Sequence, residues 1–299
     1  MEKFTFKRKI RNHKKNDPGK RFQRTCYVIA LILIIIVPGF YAGMTVKEYR
    51  LTDPRIHGTV RIALITDLHS ESYGKMQNDL LAAIDEKEPD LVLLGGDIFD
   101  DQRSNENTEI FLEAVSKKYP CYYVSGNHEC WATRKEFHEN MDKLKELGIP
   151  RLLGNFKELE FHGTKIMLCG VDDPSFSTIR ANGSPLGFHK ELEGLRDLIR
   201  EDTYTILLSH RPERMDEYAD VGFDLVLSGH AHGGQWRIPG IVNGIYAPNQ
   251  GFFPKYCGGK YQQGKTTMIV SRGLAKSTIL LPRFYNPPEL VIIELMGEK

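Results

Sequence analysis

Cysteine is scarce in this chain, and its few positions follow no spacing that would organise a domain. The five cysteines are Cys26, Cys121, Cys130, Cys169 and Cys257. An odd and scattered set without a CxxC pair supports neither a zinc knuckle nor a disulfide framework.

An excess of charge of one sign is also missing, because 40 basic residues oppose 39 acidic ones. This balance offers no general argument for binding nucleic acid, so we expect no nucleic-acid partner. We find no internal repeat and no low-complexity tract beyond a basic N-terminal tail. A chain of 299 residues is therefore long enough for one large domain plus extra segments.

The basic residues are unevenly placed, since ten of them lie within residues 1–25 beside only Glu2 and Asp17. Residues 26–44 are almost wholly apolar. The length of this stretch is near the short end of the range for a membrane-spanning helix, which needs about 20 apolar residues. Tyr27 and Tyr41 lie where an interfacial aromatic belt is expected. The sequence predicts a basic cytoplasmic tail over 1–25 and a transmembrane signal-anchor over 26–44.

The charge asymmetry also predicts an orientation for this anchor. Because basic flanks stay cytoplasmic, the long C-terminal part should be an extracytoplasmic domain of a single-pass protein of the cell membrane. A cleaved secretory signal has the same polarity and stays open as an alternative. Phe40 and Tyr41 stand where small residues would mark a cleavage site, which favours an uncleaved anchor. The tail has no twin-arginine pair.

Residues 45–59 read as a polar linker, and strand-like and helix-like patterns alternate over a domain spanning 60–299. Continuous apolar runs are typical of strands buried on both faces. We therefore predict an α/β fold of two packed mixed β-sheets flanked by helices. The predicted strands are Val60–Thr66, Leu91–Leu94, Cys121–Val124, Lys157–Phe161, Lys165–Gly170, Tyr204–Leu208, Leu225–Leu227, Thr266–Ser271 and Glu289–Leu295. The predicted helices are Met76–Lys87, Glu109–Lys118, Arg134–Leu147 and Phe188–Arg200.

Five short polar clusters follow predicted strands, at the edge where α/β sheets bind ligands. They are Asp67-Leu68-His69, Gly95-Gly96-Asp97, Gly126-Asn127-His128-Glu129, Ser209-His210 and Gly229-His230-Ala231-His232. A lone Asp-x-His is weak evidence, but all five in this order predict a centre for two metal ions. Carboxylate, imidazole and amide ligands suit Mn²⁺, Fe²⁺ or Zn²⁺, of which we favour Mn²⁺.

These clusters resemble those of the calcineurin-like metallophosphoesterases, and the likeness runs over about Val60–Leu295. The chain is more closely similar to membrane-attached bacterial members that are often grouped with UDP-2,3-diacylglucosamine pyrophosphatases. The stretches that carry this closer likeness are Gly170-Val171-Asp172-Asp173-Pro174, Leu208-Ser209-His210-Arg211-Pro212-Glu213, Gly229 to Gln235, Ala247-Pro248-Asn249-Gln250-Gly251 and Ser271-Arg272-Gly273-Leu274.

The resemblance implies a role for each site residue. Asp67, His69 and His232 would hold one metal, Asn127, His210 and His230 the other, and Asp97 would bridge the two. His128 would protonate the leaving oxygen or steady the phosphoryl group, and Glu129 would orient His128. The Arg211 guanidinium could contact a phosphate, but an ordinary structural ion pair is the alternative.

The predicted activity is hydrolysis of phosphodiester, phosphomonoester or pyrophosphate bonds. Two ions can stabilise the attacking and leaving oxygens, and a water held by a metal can ionise near neutral pH to give hydroxide. The expected partner is a phosphorylated small-molecule or lipid-linked substrate of the envelope. The resemblance suggests a nucleotide-lipid pyrophosphate, although the predicted orientation argues against one, since such lipids are made at the cytoplasmic face.

Two alternatives remain at the level of the sequence. The first is a non-catalytic membrane-anchored metal-binding surface module, which is disfavoured because no ligand position is missing. The second concerns individual residues. Asp100 and Asp101 could support the site or lie exposed in a loop. Tyr246, Phe252, Phe253 and Tyr256 could pack in the core, which is the default, or contact a lipid or sugar.

Overall fold

The computed structural model describes residues 18–176, 187–278 and 281–298. The chain divides after Gly39 into two compact units. The first contains helix α1, Pro18–Gly39, of which Gly19–Gly39 is long and apolar enough to cross a membrane by length and composition. The helix begins inside the predicted basic tail and ends before the predicted limit at Met44. Proline at its first position is favourable, because that residue has no intrahelical N–H partner to lose.

The second unit, which begins at Phe40, alternates strands and helices along most of its length. Its strands are β1 Thr45–Thr52, β2 Thr59–Ile65, β3 Leu91–Gly95, β4 Cys121–Val124, β5 Asn155–Phe161, β6 Thr164–Gly170, β7 Tyr204–Leu208, β8 Leu225–Ser228, β9 Tyr246–Ala247, β10 Gly251–Phe252, β11 Gly259–Gln263, β12 Thr266–Val270, β13 Ser277–Thr278, β14 Leu281–Pro282 and β15 Glu289–Met296. Its helices are α2 Asn78–Lys87, α3 Glu106–Val115, α4 Asn127–Trp131, α5 Arg134–Glu146, α6 Phe188–Arg196 and α7 Met215–Val221.

Two mixed sheets form the centre of this unit. The five-stranded sheet has the order β1-β15-β2-β3-β4, in which β2, β3 and β4 run parallel and β15 is antiparallel to β2. The six-stranded sheet has the order β11-β12-β8-β7-β6-β5, in which β6, β7, β8 and β12 run parallel. Strands β5 and β6, both predicted from the sequence, form an antiparallel hairpin.

The sheets pack face to face through an apolar layer to which both contribute, with Leu64 and Leu93 from one and Leu208 and Leu227 from the other. The outer face of the five-stranded sheet is covered by residues of α2, α3 and α5, and the outer face of the six-stranded sheet by residues of α6 and α7. Each sheet is thus buried on both faces, which explains the continuous apolar runs. The predicted fold class is confirmed.

The structure corrects the prediction of a linker over residues 45–59. Residues Thr45–Thr52 form strand β1, which pairs in parallel with β15 from Thr45 opposite Glu289 to Thr52 opposite Met296. The strand lies at the sheet edge, and its side chains are all exposed or half-buried. An edge strand with so little burial has no hydrophobic pattern by which the sequence could reveal it.

Candidate metal centre

All the predicted ligands lie just beyond the carboxyl ends of parallel strands. In the five-stranded sheet, Asp67 and His69 follow β2, Asp97 follows β3, and Asn127 begins α4 directly after β4. In the six-stranded sheet, His210 follows β7, while His230 and His232 follow β8. Because the sheets pack face to face, the two rows of strand ends meet at one edge of the fold.

The side chains at this edge form three overlapping groups that could hold metal ions. Within each group the potential ligand atoms lie within 4.8 Å of one another. The first group is Asp67, His69, Asp97 and His232, the second is Asp97, His210 and His230, and the third is His69, Asp100 and His128. Asp97 belongs to the first and the second group, so the structure brings these residues together in the arrangement that the resemblance implies.

The hydrogen-bond pattern leaves ligand atoms of this site without partners. The buried atoms His69 Nε2, His210 Nε2, Asp97 Oδ2 and Asn127 Oδ1 have no hydrogen-bond partner among the residues that the structure describes. Buried polar atoms in folded proteins are nearly always paired. Four unpaired nitrogen and oxygen atoms at one locus are what a cation-binding site requires, so the residues present fit a pair of divalent metal ions.

The electrostatics around His210 and Asp97 favour positive charge. His210 Nδ1 lies 2.9 Å from the Gly95 carbonyl oxygen, to which it can donate. His210 Nε2 lies 3.1 Å from Asp97 Oδ2 without forming a hydrogen bond to it. Burial lowers the pKa of His210, but the Asp97 and Asp67 carboxylates outweigh that effect and raise the pKa to about 10. Burial likewise raises the pKa of Asp97, yet the neighbouring histidines hold it well below its usual value. A cation between these side chains would satisfy both.

Two residues outside the ligand set orient the histidine rings. Asp100 is buried, and its Oδ2 accepts from His69 Nδ1 at 3.0 Å. The carboxamide oxygen of Asn249 lies 2.8 Å from His230 Nε2 and can accept its proton. Such contacts fix which ring nitrogen carries the lone pair that faces a metal. Of the two possibilities for Asp100, support of the site is the one that the structure shows.

The backbone of the ligand residues is unusual, because five of them have positive φ angles. The values are 50° for Asp67, 47° for His69, 51° for Asp97, 65° for His230 and 46° for His232. Few residues other than glycine adopt this left-handed conformation, although Asp and His do so more readily than most. Strained backbone of this kind collects at binding and catalytic sites, where the surrounding structure holds it in place.

A C-terminal loop holds the Asp67 backbone in this conformation. The N–H groups of Leu274 and Ala275 donate to the carbonyl oxygens of Thr66 and Asp67 at 3.0 and 2.7 Å. Gly273, at φ 72°, lies so close that an added Cβ would stand 2.6 Å from the Asp67 Cβ. The buried Arg283 donates to the Arg272 carbonyl oxygen at 2.7 Å, which holds the loop itself.

His128 stands at the edge of the ligand cluster, with its ring centroid 4.3 Å from that of His69 and 4.8 Å from that of Trp131. Its Nδ1 lies 2.5 Å from Oδ1 of Asp101, which therefore orients the ring. This arrangement corrects the expectation that Glu129 would do so. The Glu129 carboxylate instead accepts from backbone N–H groups, because Glu129 lies in the first turn of α4 and faces back toward Gly126.

Arg211 was open between a phosphate contact and an ordinary ion pair, and the structure shows the ion pair. Its guanidinium makes a bidentate contact with Asp173, at 2.5 and 2.9 Å. Its Nη1 also lies 2.8 Å from His230 Nε2 and donates to the Asn249 side chain. His230 Nε2 can accept from Arg211 or donate to Asn249, depending on the tautomer, but it cannot do both at once. Arg211 therefore contacts His230 of the second ligand group and also lines the cavity.

A cavity of about 670 Å³ opens over the cluster. All the predicted ligands except Asp67 and His210 line it, together with His128 and with Trp131, Arg103, Ser175, Pro248 and Asn249. The sequence drew attention to the stretch Ala247 to Gly251 only through its resemblance, without a role for Asn249. Asn249 was missed because it lies far along the chain, after the two-residue strand β9, which belongs to neither main sheet and was not predicted.

Comparisons with known proteins point the same way as the geometry. The family model described as calcineurin-like phosphoesterase matches residues 60–234. An uncharacterized metallophosphoesterase of Helicobacter pylori is 30% identical over 296 residues, which cover 95% of this chain and 73% of that protein. The phosphodiesterase YaeI of Escherichia coli is 26% identical, over 79% of this chain and 82% of its own. A bovine (Bos taurus) transmembrane protein with a metallophosphoesterase domain is 28% identical, over 80% of this chain and 53% of its own.

Proposed function

Because the chain belongs to the calcineurin-like phosphoesterase family, we propose that this phosphoesterase hydrolyses a lipid-linked phosphodiester or pyrophosphate of the cell envelope. The observation that carries the proposal is the convergence of unpaired ligand atoms from both sheets beneath one cavity. The likeness to UDP-2,3-diacylglucosamine pyrophosphatases suggests a pyrophosphate, and the apolar helix α1 suggests a substrate that resides at a membrane.

The ligand groups assign a place to each of two ions. One would be held by Asp67, His69, Asp97 and His232, and the other by Asp97, Asn127, His210 and His230. Such a pair of ions supplies an ionisable water near neutral pH and stabilises charge on the attacking and leaving oxygens. Each place combines two oxygen and two nitrogen ligands, which suits Mn²⁺, Fe²⁺ or Zn²⁺, with the carboxylate and amide oxygens favouring Mn²⁺.

His128 is the candidate general acid for the leaving group. It lines the cavity and lies with His69 and Asp100 in the third ligand group, outside the two groups that share Asp97. Asp101 would hold Nδ1 and stabilise the charged ring, so that the other nitrogen gives its proton to the leaving oxygen. Arg211, held by Asp173, would keep His230 in position and add positive potential where the phosphoryl group binds.

Helix α1 is the candidate anchor. The tail before it carries most of the basic residues of the first 25 positions, so the positive-inside rule orients the phosphoesterase domain away from the cytoplasm. Protease added to intact cells should then digest this domain and leave the tail protected. Protection of the domain in that assay would contradict the orientation.

The activity is tested with the full-length protein in detergent, stripped of metal and reloaded with Mn²⁺, Zn²⁺, Fe²⁺ or Co²⁺. We expect hydrolysis of bis-p-nitrophenyl phosphate and of lipid-linked pyrophosphates, and loss of both on chelation. Comparison with p-nitrophenyl phosphate measures the preference for diesters over monoesters. Absence of turnover with every metal and every substrate would refute the proposal.

The His128→Ala variant separates proton transfer from metal binding. We expect kcat to fall by about 10²- to 10⁴-fold, the usual contribution of a general acid, while the metal content stays unchanged. Activity assays and elemental analysis of the same preparation measure the two effects. His138→Ala, which removes an exposed histidine from α5, is the matched control. Loss of metal from His128→Ala would assign His128 to the ligands instead.

A further inference from the structure

The loop from Trp236 to Phe253, here called the apolar loop, exposes large apolar side chains. Ile241 is 81% exposed, Phe252 74% and Phe253 71%. Single exposed apolar residues are common on protein surfaces, but several on one loop mark a site of interaction. The sequence left the aromatic residues of this stretch open between core packing and a lipid or sugar contact, and their exposure excludes core packing for Phe252 and Phe253.

The apolar loop is held in shape by its own backbone. Ile238 and Val242 form a tight turn, in which the Ile238 N–H donates to the Val242 carbonyl oxygen at 3.0 Å. The Ile245 N–H donates to the Trp236 carbonyl oxygen at 2.9 Å, and the Phe253 N–H donates to that of Ile245 at 2.8 Å. The exposed side chains are therefore displayed on a folded scaffold.

The apolar loop starts beside the residue at which the chain leaves α1. Phe40 directly follows Gly39, the last residue of that helix. The ring centroid of Phe40 lies 5.1 Å from that of Phe284, which lies 5.5 Å from that of Trp236. Trp236 also donates from Nε1 to the Pro282 carbonyl oxygen at 2.9 Å. If α1 spans a membrane, these contacts hold the start of the loop close to that membrane.

The same loop reaches the catalytic cavity. Pro248 and Asn249 line the cavity, and Asn249 contacts His230. One continuous segment thus connects the chain's exit from α1 with the wall of the site.

We propose that the apolar loop is a lipid-contacting face, which inserts its exposed side chains into the interfacial layer of the membrane that α1 anchors. Trp, Phe and Ile side chains on a polar scaffold are typical of segments that bind at this depth. The exposed Lys255 just after the loop would face anionic headgroups. The inference rests on the proposed function, since it takes α1 as the anchor and a lipid-linked molecule as the substrate.

The chain contains two tryptophans, which makes a direct test possible. The Trp131→Phe variant keeps one tryptophan, Trp236 in the apolar loop. The matched variant Trp236→Phe keeps the other, Trp131 in the cavity wall. Each full-length protein is reconstituted into vesicles of dioleoylphosphatidylcholine or of its acyl-brominated form. We expect brominated lipid to quench most of the Trp236 emission and little of the Trp131 emission.

Equal quenching of both tryptophans, or no quenching of Trp236, would overturn the inference. Neither result would contradict the proposed hydrolase function. Trp236 emission that changes with protein concentration in detergent, but not with brominated lipid, would point to a second copy of the chain and would also overturn it. Failure of the protein to float with the vesicles would refute the anchor as well.

An activity measurement gives an independent readout. The double variant Ile241→Ser with Phe252→Ser should lose roughly tenfold in turnover of a vesicle-embedded lipid phosphodiester, because two apolar side chains no longer enter the membrane. Turnover of bis-p-nitrophenyl phosphate, which needs no membrane, should stay unchanged. Equal activity of variant and wild type on the embedded lipid would contradict the proposal. Absence of activity on both substrates in the wild type would instead refute the proposed function.

Discussion

Asp97→Ala should abolish phosphoesterase activity. Among the described residues, Asp97 alone joins the group of Asp67, His69 and His232 to that of His210 and His230, and its Oδ2 is buried without a hydrogen-bond partner. Its removal should therefore release both ions. We expect kcat to fall by more than the roughly 10²- to 10³-fold that loss of one electrostatic donor causes. Steady-state hydrolysis assays measure kcat. Elemental analysis should show less than half of the wild-type metal content.

The control for this variant is Asp142→Ala, which removes an exposed carboxylate from α5 and should retain both metal and activity. Circular dichroism of the two variants tests that each remains folded. An Asp97→Ala protein that keeps its full metal content would show that Asp97 does not bridge the ions. The site would then have to be rebuilt around other ligands.

Glu129→Ala should be the most destabilising single change near the site. The Glu129 carboxylate accepts from the N–H groups of Ile98 and Phe99 through Oε1, and from those of Asp97 and Gly126 through Oε2, at 2.7 to 3.1 Å. Since each buried N–H left unpaired costs about 1–3 kcal/mol, we expect a loss of about 4 kcal/mol. For a domain of this size that lowers Tm by about 10 °C.

Glu129→Gln gives a graded comparison for this prediction. One amide oxygen still accepts from two N–H groups, whereas the amide nitrogen faces the other two donors, so its Tm should fall between those of the wild type and the alanine variant. Glu139→Ala, on the exposed face of α5, should leave Tm unchanged. Thermal unfolding followed by circular dichroism decides the order. Equal Tm values for Glu129→Ala and the wild type would mean that water replaces the carboxylate.

The sequence predicted the strands that are buried on both faces of a sheet. Strands β3 and β7 have every residue buried, so an uninterrupted apolar run identified both. The polar residues just after such runs then identified the ligands, because parallel strands end at one edge. Asp67, Asp97 and His210 could therefore be selected without any knowledge of the three-dimensional structure.

The parts that the sequence did not predict depend on contacts between distant segments. Strand β1 is recognisable only by its pairing with β15, since its own side chains are poorly buried. Glu129 could bind a histidine or a backbone equally well by residue type, and only the turn of α4 decides between them. Asn249 approaches His230 because a long loop folds back over the cavity, which no local pattern records.

The position of β15 has a consequence for biosynthesis. This strand lies between β1 and β2, so the edges of those two strands that it joins stay unpaired until residues 289–296 have been synthesised. Pairing over so long a sequence separation forms slowly. Polypeptides that terminate before Glu289 would expose these two strand edges, which invite aggregation. Quality-control proteases should therefore encounter such truncated polypeptides with an open sheet.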